Sequence, residues 1–139
     1  MNLLLIINKE AWAVGTLARL FVIGAPAGWR VRIVSGREMY ANPSQFRRWV
    51  DEADLVHWML HKTFVDAGSW TASGCHVVTV HHLDEDETDV EYLSRARILL
   101  TGSRMFHRVL EQRFGARIPV QCTPYPVDRP FFEAGAARR

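Results

Sequence analysis

The chain has 139 residues and a mass of 15.9 kDa, 48% of them hydrophobic and 23% charged, which suits one globular domain and leaves no room for two. A domain this long buries roughly two thirds of the surface its unfolded chain exposes, so Cys75 and Cys122 need no stapling role and read as free thiols of a reducing compartment. The formal net charge of +2 is too balanced to nominate nucleic acid as a partner.

The amino terminus shows no basic start, no long apolar core and no small-residue cleavage site. Nothing approaches the length of a transmembrane span, and the expectation is a soluble protein of the cytoplasm. Short apolar runs follow one another at intervals: Leu3 to Ile7, Val31 to Val34, Leu55 to Met59, His76 to Val80, Ile98 to Thr101 and Ile118 to Cys122. Each is continuous in polarity where a half-exposed strand would alternate, as expected of parallel strands covered on both faces.

Longer amphipathic segments lie between them. Val14, Leu17, Ala18 and Phe21 form a stripe at helical spacing that Gly24, Pro26 and Gly28 end. Asn42-Pro43-Ser44-Gln45 opens a second helix with a cap, a proline at the first helical position and Gln three residues after the cap. Lys62 to Gly74 reads as a short helix or an ordered loop. Asp84-Glu85-Asp86-Glu87 reads as a solvated helix start whose carboxylates complement the helix dipole. Ser103 caps a last helix, whose predicted buried face is Met105, Phe106, Val109, Leu110 and Phe114, with Gly115 as its stop. Strand and helix repeated in this way predict an α/β, doubly wound, Rossmann-like parallel sheet of about six strands with helices on both faces. Residues 1–133 form that domain, and 134–139 are a flexible tail or the start of a linker.

Ligands of such folds sit outside the carboxyl ends of the strands, and that rule selects the candidate residues. His81 and His82 follow the run Val77-Val78-Thr79-Val80, where a neutral imidazole can hydrogen-bond a sugar hydroxyl or a phosphate and steady developing charge. His57 and His61 stand four apart, a metal-ligand spacing only on a helix, and this segment reads as a strand, so no metal is expected. Asp84-x-Asp86 matches a divalent-cation motif, but six of the 15 acids fall between Asp84 and Glu91, a density that generates such patterns by chance. No G-x-G-x-x-G, no P-loop and no G-x-S-x-G elbow is present. Gly15, near the start of the first helix, permits a close backbone approach to a ligand.

The second half carries a resemblance. Asp54-Leu55-Val56-His57, then Val77-Val78-Thr79-Val80-His81-His82, then Ala96 to Ser103 with a helix ending Phe114-Gly115, then Ile118-Pro119-Val120 and Thr123-Pro124-Tyr125-Pro126-Val127-Asp128 before Phe131-Phe132 resemble, in order and spacing, the amino-terminal domain of GT-B glycosyltransferases of family 4. The match spans 79 of the 139 residues, from Asp54 to Phe132. It implies the acceptor-side domain of a retaining glycosyltransferase that moves a sugar from a nucleotide-sugar donor to a sugar or lipid acceptor.

By that resemblance His81 is the strand-end histidine facing the reacting sugar and is the catalytic residue. Substrate-binding residues are Gly15, His57, His82 and Ser103. Pro126 stands where the family usually has glycine, so the turn leading out of the domain differs. The family's second domain normally holds the donor and supplies two glutamates eight positions apart, a spacing absent here. The expectation is therefore a part of an enzyme, inactive alone and completed by a donor-binding domain in cis or in trans, with no cofactor of its own. The alternative is a non-catalytic binding or interaction module retaining this half-fold. Trp12, Trp58 and Trp70 are expected to form an apolar patch through which the chain self-associates as a homo-oligomer or meets its partner domain.

Overall fold

Leucine, isoleucine and valine dominate each short run, and β-branched or bulky apolar side chains pack best on a pleated surface covered from both sides. Six strands result: β1 (Asn2–Ile7), β2 (Arg30–Ser35), β3 (Leu55–Trp58), β4 (His76–Thr79), β5 (Ile98–Thr101) and β6 (Val120–Cys122). The computed structural model describes residues 1–9, 13–67, 74–82 and 91–124. The strands form one sheet in the order β2-β1-β3-β4-β5-β6, and every adjacent pair is parallel. The architecture is the doubly wound, Rossmann-like α/β layer that the spacing predicts.

Helices α1 (Ala13–Ile23), α2 (Gly36–Ala41), α3 (Pro43–Glu52), α4 (His61–Asp66) and α5 (Arg104–Phe114) connect the strands. The alternation of β1 divides the core in two. Leu3, Leu5 and Ile7 meet Ala18 and the stripe Val14, Leu17 and Phe21 of α1. Leu4 and Ile6 face the other way, into a larger cluster with Trp58 and Val78, under Phe46 of α3, Phe64 of α4 and Leu110 of α5. Right-handed crossovers explain the division: the chain leaves β1 toward one edge through α1, then returns past β1 through α2 and α3 to build the other side.

Local chemistry sets the helix ends. Asn42 accepts the Gln45 N–H at 3.2 Å, and Ser103 accepts the Phe106 N–H at 3.3 Å. Gly28 takes φ 85, the left-handed region open to glycine, in the turn before β2. Lys62 to Gly74 resolves in part into α4. An additional helix, α2, precedes the expected one. Ser35 caps it through the Glu38 N–H at 3.3 Å, while the Glu38 carboxylate accepts the Ser35 N–H and O–H, each at 2.8 Å.

Two expectations need correction. Met105 is 78% and Val109 44% exposed, so the buried face of α5 is Leu110 and Phe114, four apart, with Phe106 partly buried one turn earlier. Met105 and Val109 each lie one residue, about 100° of helix rotation, from that line. Trp58 is 0% exposed and packs edge-on against Phe46 and Phe64, so it belongs to the core and not to an apolar surface patch. Trp12, Trp70, the acidic run, Pro126 and the tail 134–139 fall outside the described residues.

Candidate functional site

Where β1 leads toward one edge of the sheet and β3 toward the other, the loops after their carboxyl ends diverge and leave a crevice, the general ligand position of open parallel sheets. Asn8 follows β1 there, Met59 to His61 follow β3, and His81 and His82 follow β4. Phe21 of α1 packs beside this part of the sheet and meets the His57 ring edge-on at 5.6 Å.

His81 is held from the neighbouring strand end. Its Nε2 lies 2.9 Å from the Met59 carbonyl oxygen, and because a carbonyl only accepts, Nε2 carries the proton. The neutral ring then has its lone pair at Nδ1. Burial pushes the His81 pKa down, the Met59 hydrogen bond works the other way, and the proximity of His82 adds a smaller lowering. The imidazole is therefore neutral at physiological pH, in one tautomer, at a strand end. His82 is exposed, and its ring stands edge-on to His61 at 5.1 Å.

Beneath His81, His57 forms the floor. It is 5% exposed, its Nε2 is 2.8 Å from Thr79 Oγ1, and burial pushes its pKa down to about 4. Between these histidines and α1 lies a narrow apolar slot of about 30 Å³, closed at its far side by Thr101, Thr123 and Pro124. A volume of that size accepts the edge of one group and no whole sugar.

The other two expected residues stand apart. Ser103 is exposed at the head of α5, where its hydroxyl serves as the cap and its N–H donates to Thr101 Oγ1 at 3.4 Å. Gly15 is buried in the first turns of α1 and lines a separate hollow of about 170 Å³ with Arg19 and Glu38, outside the carboxyl ends of β1 and β2. The structure thus groups His57, His81 and His82, sets Ser103 after the neighbouring strand β5, and places Gly15 across the switch point. Thr79 and Thr101, which also line the slot, escape the sequence reading, although a threonine at or near the end of an apolar run is a readable sign of a polar strand end. The Met59 carbonyl that fixes His81 leaves no such sign.

Among the described residues no three His, Cys, Asp or Glu side chains converge as metal ligands, and no helix is long and apolar enough to cross a membrane.

Fold and crevice together define a Rossmann-like doubly wound α/β protein with a histidine-lined opening at its topological switch point. No protein-family model matches the chain, and no curated protein matches it. Among solved structures it is similar to Smu.1420 from Streptococcus mutans UA159, at 9% identity and a TM-score of 0.44, over 99% of this chain and 96% of that one.

Proposed function

We propose that the chain is the acceptor-side domain of a retaining glycosyltransferase, with His81 as its catalytic histidine and a nucleotide-sugar donor brought by a second domain in cis or in trans. The observation that carries this reading is the presentation of His81: a neutral imidazole, anchored through Nε2 to the Met59 carbonyl, at the carboxyl end of a central strand beside the switch point. Such a ring is pre-oriented by its scaffold, and a positioned neutral imidazole can hydrogen-bond a sugar hydroxyl or steady charge as a glycosidic bond breaks. His82, exposed beside it, contacts the acceptor in this reading. His57, buried against Thr79 on the same slot, is in this reading a positioning residue.

The test uses the isolated chain and then the completed enzyme. Alone, the chain should transfer no sugar from UDP- or GDP-sugars and bind nucleoside diphosphates weakly, while hexose acceptors perturb the imidazole resonances of His81 and His82. Joined to its donor-binding domain, His81→Ala should lower transfer by roughly 10²-fold or more, the scale of losing a positioned catalytic group. His82→Ala should cost less. Micromolar binding of a nucleotide sugar with turnover by the isolated chain would overturn the reading. Acceptor binding with no transfer in the presence of any donor domain would instead mark a non-catalytic binding module.

A further inference from the structure

The strand β2 is an edge: β1 pairs with one side of it, and among the described residues no strand pairs with the other. The Arg30 N–H donates to the Met1 carbonyl at 2.9 Å, so Arg30 and Arg32 turn their main-chain groups inward to the sheet. Val31 and Ile33, one residue out of phase, turn theirs outward. The outward row ends at Ser35, whose N–H is taken by Glu38 Oε2 at 2.8 Å.

Side chains alternate on the same strand. Arg30 and Arg32 are exposed on the α3 face, where the Arg32 guanidinium stacks 4.7 Å above the Trp49 ring. Val31 and Ile33 are half-buried on the α1 face. Beside the two arginines opens a groove of about 240 Å³, walled by Trp49 and bearing one carboxylate, Glu52. The amino-terminal ammonium adds positive charge at this end, 3.4 Å from the Gly28 carbonyl oxygen.

We propose that the outer edge of β2 is a docking strand for an extended segment of a partner protein in which acidic and apolar residues alternate. The warrant is register. Residues directly opposite on paired strands share a face, so a segment hydrogen-bonded to Val31 and Ile33 sets every second side chain against Arg30 and Arg32 and the intervening ones against Val31 and Ile33. Acids suit the first set and aliphatic residues the second. A second copy of this chain does not fit. In an antiparallel self-pairing that uses both Val31 and Ile33, the two-fold axis passes through Arg32 and brings it opposite its own copy, a like-charge pair.

The experiment titrates the full chain with a short acetylated peptide of alternating glutamate and valine and follows amide hydrogen exchange. Val31 and Ile33 should gain protection, while the inward amides of Arg30 and Arg32 keep theirs. A lysine–valine peptide should bind roughly tenfold or more weakly, and Arg30→Glu with Arg32→Glu should reverse that preference. Ile33→Pro, which deletes an outward N–H without touching the bonds to β1, should abolish the protection. If that variant fails to fold, a peptide N-methylated at alternate amides makes the same deletion from the partner's side. Equal binding of the acidic and basic peptides, protection elsewhere on the sheet, no protection by any peptide, or a dimer of the chain itself joined through β2 would each overturn the proposal.

Discussion

At the scale of single residues the chemistry of the molecule lies in its histidines, and His57 offers the most direct test. A histidine whose pKa in the fold is pushed down to about 4 takes its proton more readily in the unfolded chain, whose value is near 6.5. Its contribution to stability is whole above about pH 6.5 and is lost progressively as the pH falls toward about 4. His81, also lowered by burial, acts in the same direction. Each pKa unit corresponds to about 1.4 kcal/mol, so urea unfolding should show a decline of a few kcal/mol across that window. His57→Gln should flatten the slope by about one proton while losing stability at neutral pH. His81→Ala, whose ring is half-exposed and makes a hydrogen bond to Met59, should shift the unfolding free energy by no more than about 1 kcal/mol, measured in the same titrations. What the sequence shows of the site has a physical limit. A dipeptide of histidines after a valine-rich run is readable, because strand ends in parallel sheets face ligands. Which histidine is floor and which is wall depends on contacts between residues 22 apart, His57 with Thr79 and Met59 with His81. No local pattern encodes those contacts.

The elements themselves were legible in proportion to how local their determinants are. All six runs became strands within two residues of their expected ends, but the two outer ones are not covered on both faces: Arg32 and Gln121, inside those runs, are exposed because β2 and β6 are the edges of the sheet. The caps at Asn42 and Ser103 hold as read. Helix α2 was missed although Ser35-x-x-Glu38 is a capping box, because it follows a strand without a loop to announce it. Ser35→Ala should therefore cost about 1 kcal/mol in denaturant unfolding, and it should speed exchange of the Glu38 amide. The Glu38 carboxyl is held below its usual range by the Ser35 backbone N–H and then its hydroxyl, so this cap persists to more acidic pH than an unpaired glutamate allows and fails as the pH falls through that lowered value. On α5 the misassigned face came from reading apolar identity before rotation. At the end of that helix, a side chain at Gly115 would bring its Cβ within 2.5 Å of the Glu111 carbonyl oxygen. Gly115→Ala should destabilise by about 1–3 kcal/mol, read as a lowered Tm.

Over the whole molecule the sheet order sets a gradient of protection. The interior strands β1, β3, β4 and β5 are paired on both sides and hold side chains among the least exposed, such as Leu5, Ile6, Trp58, Val78 and Leu99, all at 0%. Native-state hydrogen exchange should be slowest there and fastest at the outward amides of the two edge strands, β2 and β6. Cys75 and Cys122, both free, sit at opposite ends of this lattice, one just before β4 and the other closing β6. The register aligns Val77 with Ile98 and Thr101 with Cys122. The two α-carbons are thus separated by about 16 Å along the strands and about 10 Å across them. That is far beyond the reach of a disulfide. The chain consequently carries its own spectroscopic ruler: a pair of spin labels on the native thiols spans three strands diagonally, and its distance distribution would broaden the moment that half of the sheet comes apart.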